Sequence, residues 1–159
     1  MPIDKSEILA KANTLLHAAE ASRDLQRVES LCRSAVSRRY YYLYHSAREF
    51  AVNADSLGFS PLSPDEKGRV KHADLWRWFK QKTMSEASLG MWAGNRATTL
   101  HVQRDRADYD IYRAFLAGSD DESATPLEKE DILEKTRDFF RNAEELENRI
   151  KICRQKRTL

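Results

Sequence analysis

One stripe of side chains constrains this chain more than any other feature. Ile132, Thr136, Phe139, Ala143, Leu146, Ile150 and Cys153 follow one another at alternating spacings of four and three residues. Only an α-helix, with 3.6 residues per turn, brings such positions onto one face. Leu133 and Phe140 widen the stripe into a surface that needs other helices, or a second copy of the chain, to cover it. The rest of the sequence agrees. Five glycines and four prolines among 159 residues fall between long periodic stretches, and no useful segment has the two-residue period of a strand. Ile8, Leu9, Ala12, Leu15, Leu16 and Ala19 predict a helix over 6–21, and a second is expected over about 24–54, stopping near Gly58. Ser63-Pro64-Asp65-Glu66 has the form of a capping box with proline at the first helical position, predicting a helix to about Lys82. A fourth is expected over about 85–108, and 118–124 is a polar loop. Thr125-Pro126-Leu127-Glu128 repeats the cap before the last helix, which is expected to reach about Cys153. The fold class expected is all-α, an up-and-down bundle of four to five helices. It forms one domain over 1–159, with an N-terminal helix at 1–23, a core bundle at 24–153 and a basic tail at 154–159.

Composition narrows the function classes. With 41% hydrophobic and 33% charged residues the chain is globular rather than disordered. No apolar run approaches the roughly 18–20 residues that span a bilayer, and the start, MPIDKSEIL, lacks the layout of a signal peptide. Cys32 and Cys153 match no zinc or redox spacing and sit among apolar helical residues, as buried thiols do in a reducing compartment. The expectation is a soluble cytoplasmic protein without membrane contact, metal or cofactor. A net charge of +2 argues against a general polyanion binder, so any nucleic-acid contact must come from local patches. Two exist: Arg23, Arg27, Arg33, Arg38 and Arg39 within 23–39, and four cations in the tail KICRQKRTL. Such runs are most often solvated helix faces. Trp76, Trp78 and Phe79 alternate with Arg77, Lys80 and Lys82, but aromatics at helical spacing are more often core than base-stacking platforms.

The second helix divides into two faces. Val36, Tyr40, Leu43, Ala47 and Phe50 make a packing face, while Arg38, Tyr41, His45 and Arg48 line another about 200° away. The polar row is either an ordinary salt-bridged surface or a wall that contacts phosphates through arginine and bases through tyrosine.

Ser37-Arg38-Arg39-Tyr40-Tyr41 followed by His45 and Arg48, then much later Arg104-Asp105-Arg106-Ala107-Asp108-Tyr109-Asp110, resembles one branch of the HEPN domains. The likeness covers roughly residues 24–150 and includes Lys71-His72 ahead of an apolar helix. It implies an HEPN-like helical fold and an RNA-directed protein, a metal-independent endoribonuclease of a toxin–antitoxin or antiviral defence module. It also implies a homodimer, with a cognate antitoxin or a nucleotidyltransferase-like protein as a candidate partner. The alternative within the family is a catalytically silent module that serves as scaffold or as helical partner of that second protein.

Active members of the family pair an arginine with a histidine several residues later. Histidine moves protons near neutrality, and arginine sets a fixed cation where phosphate charge builds. Two registers are open here. Arg96 precedes His101 by five residues, but alanine follows the arginine and the two lie about 140° apart on a regular helix. In the other register Arg104 takes the arginine position and Tyr109 stands where histidine is expected. His101, Arg104 and Asp108 share one face at i, i+3 and i+7, so Asp108 can hold Arg104 while His101 adjoins it. Arg104, His101, Arg96 and Tyr109 are the catalytic candidates; Arg38, Tyr41, His45, Arg48, Asp108 and Asp110 are the RNA-binding or supporting ones. The competing account makes Arg104 and Asp108 a structural pair at a helix end.

Overall fold

The computed structural model describes residues 4–83, 86, 88–108 and 128–158. Among these the chain is all-α, without a strand: α1 (Lys5–Ala21), α2 (Leu25–Val52), a 3-10 turn (Ala54–Leu57), α3 (His72–Lys82), α4 (Gly90–Asp108) and α5 (Lys129–Arg157). The helices gather into two compact units. One comprises Met1–Tyr42 with Val102–Arg141, the other Leu43–His101 with Asn142–Leu159, and α2, α4 and α5 contribute to both.

In the first unit the core is Ala12, Leu16 and Ala19 of α1, Val28, Cys32, Ala35, Val36 and Tyr40 of α2, and Ile132, Leu133, Thr136 and Phe139 of α5. Thr136 survives in the apolar stripe because its hydroxyl donates to the Ile132 carbonyl at 2.8 Å, inside its own helix. Asp4 caps α1 by accepting the Ser6 amide at 2.9 Å. The other end of α1 is closed from α5. Lys129 Nζ donates to the carbonyls of Glu20 and Ser22 at 2.6 and 2.7 Å, a cation where helix carbonyls lack partners.

The second unit buries Leu43, Ala47 and Phe50 of α2 with Leu75, Trp76, Trp78 and Phe79 of α3, Ala93, Ala97 and Leu100 of α4, and Ala143, Leu146, Ile150 and Cys153 of α5. The aromatics of α3 are core, as their spacing predicts. Phe79 stacks on Phe50 with centroids 5.8 Å apart, and Trp78 donates its indole N–H to the Ser60 carbonyl at 2.9 Å. α4 crosses α3 closely at Gly94, where an added Cβ would lie 2.8 Å from the backbone nitrogen of Lys80 and 3.0 Å from its Cα. These are backbone atoms of a helix and cannot swing aside. Gly94→Ala is therefore expected to destabilise by about 1–2 kcal/mol, overpacking outweighing the gain of up to ~1 kcal/mol in helix propensity. Urea unfolding measures it. A Gly94→Ala protein of equal or greater stability would place α3 and α4 further apart.

Three boundaries differ from the sequence expectation. α3 begins at His72 rather than at Pro64. The Asp65 carboxylate accepts the amides of Lys67 and Arg69 at 2.9 and 2.8 Å, and Gly68 adopts φ 73°, so 65–69 closes into a turn that a helix cannot share. α4 begins at Gly90 rather than near 85, because Gly90 stands in the left-handed region at φ 54°. α5 continues past Cys153 to Arg157, so most of the expected basic tail is helix. The expected loop at 118–124 and the cap at 125–127 lie outside the described residues.

That last turn of α5 is anchored. Arg157 donates from Nε to Glu86 Oε2 at 3.0 Å and from NH1 to the Leu57 carbonyl at 2.9 Å, and its guanidinium lies over the Phe59 ring. The hydrogen bond from Arg157 is the main reason the Glu86 carboxyl sits below its ordinary value near 4.5, against the opposing effect of burial. A lowered folded pKa adds stability that is present above the unfolded value and lost as pH falls through the folded one. The midpoint of thermal unfolding should thus drop below about pH 4.5 through this group. Glu86→Gln should be less stable at pH 7 and should flatten that part of the profile; an unchanged profile would mean the ion pair contributes nothing. Cys153 and Cys32 are both buried and unbridged, and burial followed by the nearby Glu86 charge pushes the Cys153 thiol up.

Candidate functional site

Sequence candidates in the first unit meet at Arg104. Its NH1 donates to Asp105 Oδ1 at 2.7 Å and its NH2 to the Tyr41 hydroxyl at 2.6 Å. Nε lies 2.8 Å from Asp108 Oδ2 but has no aligned acceptor, so this contact is an ion pair rather than a hydrogen bond. The guanidinium also faces the rings of Tyr40 and Tyr41, at 5.4 and 4.9 Å from their centroids. Burial works against its charge, but the Asp105 hydrogen bond and the fields of Asp108 and Tyr41 outweigh it, holding the pKa above the ordinary value. With 12% of its side chain exposed, Arg104 is a held residue. The end of α4 is held as well: Arg33 donates from Nε to the Ala107 carbonyl at 2.8 Å. Arg38, by contrast, is exposed and has no ion pair among the described residues.

The second unit gathers three of the four histidines. His72, the first residue of α3, stacks on Tyr44 with centroids 4.1 Å apart and planes at 20°. His101 also stacks on His72, 5.2 Å away at 22°. His45 meets the edge of Tyr44 at 5.1 Å. Tyr44 is buried and donates its hydroxyl to the Val70 carbonyl, which fixes the chain just ahead of His72. His101 is partly exposed, as are His45 and His72.

The remaining candidates separate from these clusters. Arg48 donates to the Gly68 carbonyl at 2.7 Å and braces the turn before α3. Arg96 lies over the Trp92 ring at 5.5 Å, whereas His101 is engaged with His72, so the Arg96–His101 register points its two members to different neighbours. Tyr109 and Asp110 lie outside the described residues. The sequence places Arg33 only within a basic run and His72 only ahead of an apolar helix, and it gives Tyr44 no site role. Nothing in spacing reveals a backbone acceptor such as Ala107, and the His72–His101 stack joins residues far apart in the chain. Among the described residues no three His, Cys, Asp or Glu side chains are placed to hold a metal ion, and no helix is long and apolar enough to cross a membrane. No family model, curated protein or solved structure matches the chain.

Proposed function

We propose that the chain is an RNA-directed effector of HEPN type that cuts RNA without a metal ion, as an endoribonuclease of a toxin–antitoxin or defence module. The observation that carries this reading is the stack of His101 on His72 against Tyr44. Two imidazoles in one cluster are the groups that RNA transesterification needs. One takes the proton of the 2′-hydroxyl as the O2′–P bond forms; another returns a proton to O5′ as the P–O5′ bond breaks, leaving a 2′,3′-cyclic phosphate. Neither step requires a divalent ion. The experiment is cleavage of a defined RNA by the purified chain in excess chelator, with product ends identified. Loss of activity in chelator and its return with magnesium would overturn the mechanism.

A second reading has its own support. The Arg104 guanidinium points all three of its nitrogens at protein groups, which suits a catalytically silent module whose motif keeps α4 in place. That module would act as scaffold or as helical partner of a nucleotidyltransferase-like protein. Absence of cleavage, together with stable co-purification with such a protein, would favour it.

A further inference from the structure

The first unit carries a groove of about 480 Å³ that neither cluster accounts for. Its floor is a hydroxyl stripe on α2. Ser30, Ser34, Ser37 and Tyr41 follow at spacings of four, three and four, which puts them on one helix face over about 16 Å. Threonines elsewhere in the fold, such as Thr14, Thr98 and Thr99, turn their hydroxyls back onto the preceding helical turn. Among the described residues the three serines make no such bond and keep donor and acceptor available along the groove. Lys11 of α1 and Arg38 of α2 are both exposed on its walls, and among the described residues neither has an ion-pair partner. Arg33 adds a third cation, fixed by its bond to the Ala107 carbonyl. Among the described residues the one acid lining the groove is Asp108, whose charge is offset by Arg104 at 2.8 Å.

We infer that this groove binds the phosphodiester backbone of a short single-stranded RNA segment. The inference rests on the RNA-directed reading above and gives it a second site, built from residues other than the histidines. Cations on the walls supply charge, and a row of hydroxyls supplies hydrogen bonds to successive phosphate oxygens, with no feature that reads base edges. The volume falls within the roughly 300–1,000 Å³ of small-ligand pockets, suited to a single strand and too small for an A-form duplex, which offers a wide, shallow minor groove. The second unit provides the contrast. Its hollow of about 380 Å³ also holds arginines, but Arg69 pairs with Asp65 and Arg77 with Asp74, which leaves Lys71 as the one lining cation without an ion pair among the described residues.

The test uses the full chain and a fluorescein-labelled, uncleavable 2′-O-methyl oligouridylate, with binding followed by anisotropy across a salt series. Lys11→Gln with Arg38→Gln should weaken binding at least about tenfold and reduce the slope of log K against log salt by about 1.4, near 0.7 for each phosphate no longer neutralised. Ser34→Ala with Ser37→Ala should weaken binding less and leave the slope unchanged. A charge variant that melts like the parent and binds with the parent's affinity and slope overturns the groove. Equal affinity for polyglutamate, abolished in the same variant, overturns RNA as its ligand. A chain that binds the oligomer through these residues yet never cuts RNA refutes the nuclease reading alone. A chain that cuts RNA while the charge variant binds normally refutes the groove alone.

Discussion

Replacing Arg104 with methionine is expected to lower the free energy of unfolding by about 2–4 kcal/mol, among the largest single-site losses the chain can show. The reasoning begins with exposure. Arg104 retains 12% of its side-chain exposure, Asp108 25% and Asp105 41%. A fully exposed pair would contribute only about 0.3–0.5 kcal/mol, and breaking a fully buried one costs roughly 3–5. This cluster lies nearer the buried end, because removing the guanidinium strands Asp108 and takes the hydrogen bond from Tyr41. Arg104→Lys keeps the charge but loses the planar fork that reaches Asp105 and Tyr41 together, and should cost about 1–2 kcal/mol. Asp108→Asn should cost less than the methionine change, and in the Arg104→Met background its effect should nearly vanish, since the two residues act as one unit. Urea unfolding of the two single variants and the double variant measures the coupling. An Arg104→Met protein within about 0.5 kcal/mol of the parent would remove the structural account. If Arg104→Lys instead abolishes cleavage at unchanged stability, the arginine works on the phosphate.

The helices were legible in the sequence wherever burial follows a period. Every member of the α5 stripe from Ile132 to Cys153 is buried, and so are Val36, Tyr40, Leu43, Ala47 and Phe50 on the packing face of α2. Period alone decides those positions, since one helix face must leave water. The start of α3 was not legible, because Ser63-Pro64-Asp65-Glu66 serves a helix cap and a closed turn equally well. The choice falls to Gly68, which turns the chain at φ 73° before a helix can form. In the site, Arg104 and Asp108 could be paired from their i, i+4 spacing. The Tyr41 bond to Arg104 joins residues 63 positions apart, and the Arg33 bond ends on a main-chain oxygen. Contacts of this kind depend on how helices pack and leave no periodic trace. The serine stripe was in plain view at spacings of four, three and four. It is polar, however, and polar stripes gain meaning only once the cations beside them are known.

Cleavage activity is expected to fall by about 10²–10⁴ in His101→Ala, the usual loss when a positioned acid or base is removed. His101 is singled out because it stacks on His72 and is partly exposed, while Tyr44 is buried and committed to the Val70 carbonyl. His72→Ala should produce a loss of similar size if the two imidazoles divide the acid and base roles. Removing both should cost little more than removing one, because groups acting in one step are not additive. A bell-shaped dependence of kcat/KM on pH should accompany the parent activity, and each single variant should lose one limb of it. This readout separates chemistry from packing. A histidine that only fills the stack would change the thermal midpoint and leave the shape of the pH profile intact. His72→Gln and His101→Gln, which keep a flat polar group in the stack, guard against simple loss of folding. Should His101→Gln retain full cleavage with an unaltered pH profile, proton transfer does not pass through this residue and the stack is structural. Recovery of His101→Ala activity by added imidazole would show that the missing function is proton transfer itself.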